Sequence, residues 1–172
     1  MRGVLTGEAT LAGELLEPAA GPLLAPLVAP PLTDHQAAGL DLILEGFLLH
    51  HGTARHLSPS APGREVLAGD YCYAYGLVRI AEAGDLFVVE LLADLIALSA
   101  GLVATGDRAS LAPLWRATTA AIAARRGADE GRVTEAFLAA RGALRADGDS
   151  SGLAAIADTL PPTPGLVEAL AR

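Results

Sequence analysis

The apolar stretches of this chain are rich in Ala and Leu, which have the lowest cost of helix formation, and the sustained apolar–polar alternation typical of half-buried strands is absent. Turn signals rich in Gly, Pro, Ser and Asp separate these stretches. We therefore predict an all-α fold, a helical bundle of roughly six to eight helices. The predicted helices cover about 7–17, 33–51, 64–83, 85–105, 107 or 110 to 126, 129–146 and 153–160, with a Pro-rich connection or second short helix through Val28 and a last turn at the end.

One domain is the expectation for a chain of 172 residues. In this interpretation residues 1–32 are a Pro-rich N-terminal helical segment, 33–146 the helical core and 147–172 a C-terminal tail. Two predicted helices, 38–50 and 86–104, are apolar around much of their circumference. Such helices lie in the middle of a large bundle or against a partner. Two of them in so short a chain indicate a partner chain.

The most membrane-like stretch is LFVVELLADLIALSAGLVA, residues 86–104. It carries Glu90 and Asp94 in its interior, and charges at mid-helix are costly in a bilayer. We therefore interpret this stretch as a buried helix rather than a membrane span. The N-terminal stretch GPLLAPLVAPP is broken by prolines and does not have the pattern of a targeting signal. The expected protein is soluble and cytoplasmic.

Composition and charge narrow the classes of function. The net charge of −8 argues against nucleic acid as a partner, because phosphate binding needs clustered cations. All 12 basic residues are arginines, so Schiff-base chemistry and a P-loop lysine are excluded. Cys72 is the single cysteine, which excludes a disulfide framework and a multi-cysteine metal site and fits a reducing compartment.

The stretch FLLHHGTARHL, residues 47–57, contains three of the four histidines. His50 and His51 are adjacent, so on a helix they point about 100° apart and are poorly placed to chelate one ion. A loop-borne metal site using His51 and His56 is an alternative, which would make the chain an enzyme that uses a transition metal. The favoured interpretation is a polar helix end with solvated histidines.

Carboxylates recur at helical spacing in two places. Asp41 and Glu45 share one helical face, as do Glu90 and Asp94. Paired carboxylates bind Mg²⁺ or perform acid–base catalysis, but pairing with arginine or exposure to solvent is the commoner arrangement. Asp70 lies in an apolar helix, where we expect a buried carboxylate held by hydrogen bonds or an opposite charge.

The stretch REVLAGDYCYAYGLVRIAEAGD, residues 64–85, resembles the pattern LxGDYLxARAxxLLAxxGD of trans-polyprenyl diphosphate synthases. Upstream, GLDLILEGFLLHHGTARH is similar to the helix of this family that ends in the first aspartate-rich motif, LLHDDxxD. Downstream, LWRATTAAIAA, residues 114–124, is similar to the RxKTAxLFA helix. The resemblance covers about residues 38–126, in the family's order, and it implies a truncated isoprenoid-synthase-like fold.

The resemblance also implies that the catalytic positions have been replaced. The family's first motif holds Mg²⁺ ions that clamp an allylic diphosphate, and none of the residues found here is the hard oxygen ligand that Mg²⁺ demands. The second aspartate-rich motif has only a faint counterpart in AFLAARGALRAD, residues 136–147. The replaced positions are His51, Gly52 and Arg55 in the first motif, Thr118 at the family's lysine, and Arg141, Gly142 and Arg145 in the second.

A truncated homologue without these aspartates is similar to the small non-catalytic component, component I, of two-component heptaprenyl or hexaprenyl diphosphate synthases. The resemblance then implies a catalytic partner subunit that supplies both motifs and binds Mg²⁺, joined through a helix–helix interface. This chain would bind no cofactor and would help to set the isoprenoid chain length for menaquinone biosynthesis. The alternative is a stand-alone, homodimeric isoprenoid- or lipid-binding protein on a decayed synthase scaffold.

Four residues are candidates for the prenyl tunnel or the partner interface. Phe47 lies four residues before His51, in the region where bulky side chains limit product length in the catalytic family. Tyr71 and Tyr75 share a helical face at i,i+4, and Asp70 precedes them. Plain core packing is the alternative for each aromatic residue.

Overall fold

The computed structural model describes residues 5, 11–17, 20–61, 63–82 and 84–172. Within these residues the chain is all-α, as predicted, with eight α-helices and two 3₁₀ turns, Ala12–Glu14 and Arg108–Ser110. The helices are α1 (Ala25–Val28), α2 (Asp34–His51), α3 (Arg64–Ala81), α4 (Leu86–Thr105), α5 (Leu111–Ala123), α6 (Glu130–Asp147), α7 (Ser151–Ala157) and α8 (Pro164–Ala171).

Most predicted helix ends agree with the structure because their capping signals are local. A capping box between Thr33 and Gln36 opens α2, as the sequence indicated, and Asp85 accepts the Val88 N–H at the start of α4. The prediction for α5 ran to residue 126, whereas the helix ends at Ala123. The final turn proves to be the full helix α8.

The predicted helix over 7–17 is wrong for the residues that the structure describes there, and residues 6–10 lie outside them. After the 3₁₀ turn, Leu15 pairs with Leu57 in an antiparallel bridge. The Leu16 N–H donates to the His56 carbonyl oxygen at 2.9 Å, so this backbone satisfies its polar groups against a loop instead of within a helix.

The main hydrophobic core surrounds α2 and α5. Residues 37–48 of α2 are buried without interruption, and Trp115 of α5 is fully buried beside them. Leu153 and Leu166, from the predicted C-terminal tail, also lie in this core, so the tail belongs to the packed structure. A second, smaller cluster lies between the N-terminal segment, α2 and α3, and its buried members are Leu5, Leu11, Leu42, Leu57, Ala68 and Cys72.

Helices α2 and α3 are antiparallel and pack closely through four glycines. Gly39 and Gly46 lie seven residues apart on α2, and Gly69 and Gly76 lie seven residues apart on α3. A Cβ on Gly39 would lie 2.8 Å from the Gly76 carbonyl oxygen, and a Cβ on Gly76 would lie 2.7 Å from the Gly39 carbonyl oxygen. Gly46 and Gly69 make the second contact, where a Cβ on Gly46 would lie 2.9 Å from the Gly69 carbonyl oxygen. The absent side chains therefore set how closely the two backbones approach.

The two apolar helices that indicated a partner differ in their surroundings. The stretch 38–50 is the centre of the core. Helix α4 is long and apolar enough to cross a membrane by length and composition alone, and 33% of its most apolar window is buried in the described structure. Its buried positions, among them Leu91, Leu95 and Leu102, form one face, so the expectation of a buried helix holds for that face only.

Candidate functional site

The end of α2 carries the residues that the sequence resemblance aligns with the first aspartate-rich motif of trans-polyprenyl diphosphate synthases. The helix stops at Gly52, whose N–H donates to the Leu48 carbonyl oxygen at 2.9 Å. Arg108 donates to the His51 carbonyl oxygen at 2.6 Å, a favourable position for a cation at a helix C-terminus. Burial lowers the pKa of the His51 imidazole, and the neighbouring His50 and Arg108 lower it further. A neutral imidazole is therefore the favoured form at this position.

Glu45 holds the loop that follows. Its carboxylate is 1% exposed and accepts the backbone N–H groups of Arg55, His56 and Leu57 at 3.1, 2.8 and 3.0 Å. Burial raises the pKa of Glu45, while these N–H donors and the Arg55 charge act in the opposite direction. The Arg55 guanidinium points away and donates to the Gly21 carbonyl oxygen at 2.9 Å. This loop is fixed by hydrogen bonds, with no carboxylate at the motif positions.

Asp41, one helical turn before Glu45, also fixes a neighbouring segment by accepting its backbone N–H groups. It is 2% exposed and accepts the N–H groups of Leu23, Leu24 and Ala25 at 2.8, 3.1 and 3.0 Å, which caps α1. The expectation that Asp41 and Glu45 pair with arginine or face solvent is therefore wrong. Sequence reasoning missed their partners because backbone donors carry no residue signature. The available signal was two carboxylates within residues 37–49, a stretch whose other residues are apolar or glycine.

The prediction of a buried carboxylate at Asp70 is also wrong. Its side chain is 66% exposed, and its carboxylate lies 3.2 Å from His50 Nε2. The neighbouring Gly69 leaves room for the His50 ring, because a Cβ there would lie 2.6 Å from the same nitrogen. The ring of His50 also stacks on Tyr73 of α3 at 5.3 Å between centroids. Gly69 and Asp70 thus contact His50 at the end of α2, and Asp70 lies at the surface instead of being buried.

The histidines differ from the predicted solvated cluster. His56 is only 5% exposed, and the side chains of His50 and His51 are half-buried. Among the described residues, no group of three or more His, Cys, Asp or Glu side chains is arranged to hold a metal ion. Cys72 lies buried in the smaller core cluster, and its burial, with a contribution from Glu45, raises the pKa of its thiol to about 12.

Phe47 and Thr118 both lie in the core. Phe47 is fully buried, with its ring 5.5 Å from Trp115 and 5.1 Å from His51 between centroids. Thr118, which the resemblance aligns with the family's lysine, is buried on α5 and donates to the Leu114 carbonyl oxygen at 2.9 Å. The Phe47 side chain therefore packs inside the chain and presents no surface to a partner. Its role in a prenyl tunnel stays a prediction.

Tyr71 and Tyr75 pack together on the other side of α3. Their rings are stacked 5.5 Å apart with an interplanar angle of 12°, and both are half-buried against the smaller core cluster. Tyr71 also lines a mainly apolar cavity of about 390 Å³ between α3 and the N-terminal segment. The other lining residues are Leu11, Glu14, Arg64, Leu67 and Ala68.

Two of the positions that the resemblance aligns with the second motif contact a carboxylate of another helix. Arg141 and Arg145 of α6 both form salt bridges with Asp94 of α4, and the distance from Arg145 Nη2 to Asp94 Oδ1 is 2.5 Å. The expectation that helical carboxylates pair with arginine is thus correct for Asp94, while Glu90 is exposed. Gly142 lies beside this cluster, and a Cβ there would meet no atom within 4 Å. The region that the resemblance aligns with the second motif therefore forms an interhelical ion cluster.

Comparison with known proteins gives no relative for this chain. No family model matches it, and neither does any curated protein or solved structure. The resemblance of residues 38–126 to trans-polyprenyl diphosphate synthases rests on the quoted residues alone, so the function that it implies is a proposal.

Proposed function

We propose that this chain is the non-catalytic small subunit of a heteromeric long-chain polyprenyl diphosphate synthase. In this proposal a catalytic subunit carries both aspartate-rich motifs and their Mg²⁺ ions, and transfers isopentenyl units to an allylic diphosphate. This chain binds that subunit in the cytoplasm and helps to set the length of the product, which serves as a quinone side chain. It performs no turnover by itself.

The observation that carries the proposal is the state of the two buried carboxylates of α2, Asp41 and Glu45. Mg²⁺ needs hard oxygen ligands with free lone pairs and usually keeps several waters. Asp41 and Glu45 are buried, and each accepts three backbone N–H groups. A metal at either carboxylate would have to displace those donors and leave them unsatisfied. This arrangement therefore favours a role in binding a partner subunit over a role in ionising an allylic diphosphate.

Co-expression with a catalytic trans-polyprenyl diphosphate synthase subunit tests this function. We expect one co-eluting complex that incorporates isopentenyl diphosphate in the presence of Mg²⁺, and no incorporation by this chain alone. Substituting the first-motif aspartates of the catalytic subunit should abolish turnover. The matched change here, His51→Ala, should leave it intact, because His51 is not expected to hold the ion. Turnover by this chain alone, or the lack of any complex, would contradict the proposal.

Product length tests the role of Phe47. Phe47→Leu reduces the ring to an aliphatic side chain beside Trp115 and His51, and Phe137→Leu on α6 is a matched control at a second fully buried phenylalanine. If Phe47 lines the path of the growing chain, only the first variant shifts the product distribution. Equal product lengths in both complexes would remove this residue from the tunnel.

A stand-alone isoprenoid- or lipid-binding protein is the second candidate, and the cavity of about 390 Å³ beside Tyr71 favours it. A cavity of this size and apolar lining can accept part of a prenyl or acyl chain. This candidate predicts saturable binding of farnesol by the isolated chain, weakened by Leu67→Gln at the cavity wall. Absence of such binding, measured by calorimetry, would contradict it.

A further inference from the structure

The cavity beside Tyr71 has apolar walls that are fixed by the packing of the fold. Leu67, Ala68 and Tyr71 of α3 line it on one side, and Leu11 of the N-terminal segment lines it on the other. Leu11 and Ala68 are buried members of the smaller core cluster. The Tyr71 ring is stacked on Tyr75, which holds it in place. The cavity is therefore formed before a ligand enters, and its volume of about 390 Å³ suits a small molecule.

Leu67 leaves apolar surface in contact with water. It lines the cavity, yet it is 69% exposed, and its neighbour Val66 is 48% exposed. A residue that is both exposed and part of the lining lies where the cavity opens to solvent. Covering this surface with the apolar part of a ligand would be favourable.

The polar part of the lining is an ion pair between Glu14 and Arg64. The Glu14 side chain is 8% exposed, and its Oε1 accepts a hydrogen bond from Arg64 Nε at 2.7 Å. The other carboxylate oxygen, Oε2, is buried and has no hydrogen-bond partner among the described residues. A buried acceptor without a donor is costly. The cavity is thus lined by a carboxylate that has one oxygen left for a donor.

The backbone around Glu14 is held in position by the loop before α3. The Ser58 N–H donates to the Glu14 carbonyl oxygen at 2.8 Å, and Leu15 pairs with Leu57 in the antiparallel bridge. The Glu14 N–H donates to the Leu11 carbonyl oxygen at 2.9 Å. Because this backbone is already ordered, a ligand that bonds to the carboxylate does not have to pay for ordering it.

The ion pair decides which head group a ligand in this cavity can carry. An anionic head group would be repelled by Glu14, and Arg64 is already paired with that carboxylate. An ammonium group would lose its hydration for a carboxylate that Arg64 already neutralises. A hydroxyl group is cheaper to desolvate, and its hydrogen bond to a charged acceptor is a strong one. The lining therefore favours a neutral donor over either charge.

We propose that this cavity binds a neutral aliphatic alcohol, whose chain lies against Leu11, Leu67 and Tyr71 and whose hydroxyl group donates to Glu14 Oε2. The inference rests on the second candidate function, the binding of an apolar ligand by this chain, and it adds the head group that the site selects. It does not depend on a synthase partner.

Three ligands with the same ten-carbon chain test the head group. Decanol, decylamine and decanoate are titrated into the isolated chain at neutral pH, below the concentration at which they aggregate, and calorimetry measures their affinities. We expect saturable binding of decanol, at least about tenfold tighter than that of either charged ligand.

Two pairs of variants test the assigned residues, with circular dichroism to confirm the fold. Glu14→Gln should weaken decanol binding by about tenfold and reduce its preference over decanoate, whereas Glu65→Gln, an exposed neighbour of Arg64, should bind like the wild type. Leu67→Gln should weaken decanol binding, whereas Val78→Gln, at a 53% exposed position of the same helix, should not. Since Leu67 is exposed, its variant should fold even if Glu14→Gln does not.

The outcomes separate the head group from the candidate function. If the three ligands bind equally well, the chain binds apolar molecules and the inference is wrong. If a folded Glu14→Gln or Leu67→Gln binds decanol as tightly as the wild type does, the ligand lies elsewhere and the inference is also wrong. If none of the ligands binds, the second candidate function and the inference are both wrong, while the proposed synthase subunit is unaffected.

Discussion

Replacing Gly76 by alanine tests whether the glycine contacts set the packing of α2 on α3. The new Cβ would lie 2.7 Å from both the Gly39 carbonyl oxygen and Ile43 Cγ1, so the two helices must move apart. Overpacking of this kind costs about 1–3 kcal/mol, and the alanine returns about 1 kcal/mol of helix propensity. We therefore expect a net destabilisation of up to about 2 kcal/mol, which lowers the melting temperature by up to about 8 °C.

The matched control is Gly142→Ala in α6, where a Cβ meets nothing within 4 Å. Only the propensity gain acts there, so this variant should be more stable than the wild type by about 0.5–1 kcal/mol. Urea unfolding of the isolated chain, followed by circular dichroism and by the fluorescence of the single Trp115, measures both changes. If Gly76→Ala is as stable as Gly142→Ala, the reasoning about helix approach is refuted.

The double variant Gly39→Ala/Gly76→Ala sharpens this test. Each Cβ would strike the carbonyl oxygen of the other glycine, so the first substitution already separates the backbones. The second should then cost less than it does alone, and the double-mutant cycle should show a coupling of about 0.5–3 kcal/mol. Strict additivity would indicate two independent local clashes.

Three further predictions concern the buried and exposed ionisable groups. Asp41→Asn should destabilise the fold by about 1–3 kcal/mol, because it removes part of the acceptor for three N–H groups, whereas Asp70→Asn at the exposed His50 pair should change it by less than about 0.5 kcal/mol; urea unfolding compares them. Burial raises the pKa of Glu45 above its ordinary 4.5, so the folded chain binds this proton more tightly than the unfolded chain does. The resulting contribution to stability is complete below pH 4.5 and is lost as the pH rises through the raised pKa. Glu45→Gln should remove this pH dependence, which urea unfolding midpoints measured across pH would record. Cys72, buried and with its thiol pKa raised to about 12, should react with a disulfide reagent near pH 8 only after unfolding, as an absorbance assay would record.

Each of these predictions has a result that contradicts it. Equal losses of stability in the Asp41 and Asp70 variants would mean that the backbone caps contribute little. An unchanged pH profile in Glu45→Gln would show that this carboxyl titrates alike in the folded and unfolded chain. Rapid labelling of Cys72 in the native protein would indicate that the smaller core cluster opens readily.

Local signals in the sequence determined the helices. The capping box at Thr33, the cap at Asp85 and the glycine after Thr105 act within one turn of the chain, so the fold class and most helix ends follow from them. The segment 11–17 escaped this reasoning because its backbone pairs with the loop at Leu57, a partner distant in sequence.

Only the tertiary structure decided what the polar residues do. The sequence placed Asp41 and Glu45 on one helical face and Asp70 in an apolar helix, yet the first two are buried on backbone donors and the third is at the surface. Burial depends on which face of a helix meets its neighbour, and for α2 and α3 that face is selected by the glycine contacts at Gly39 and Gly76. The sequence pattern predicts which residues share one face of a helix. The packing of distant segments determines which face is buried and which polar groups on it need a hydrogen-bond partner.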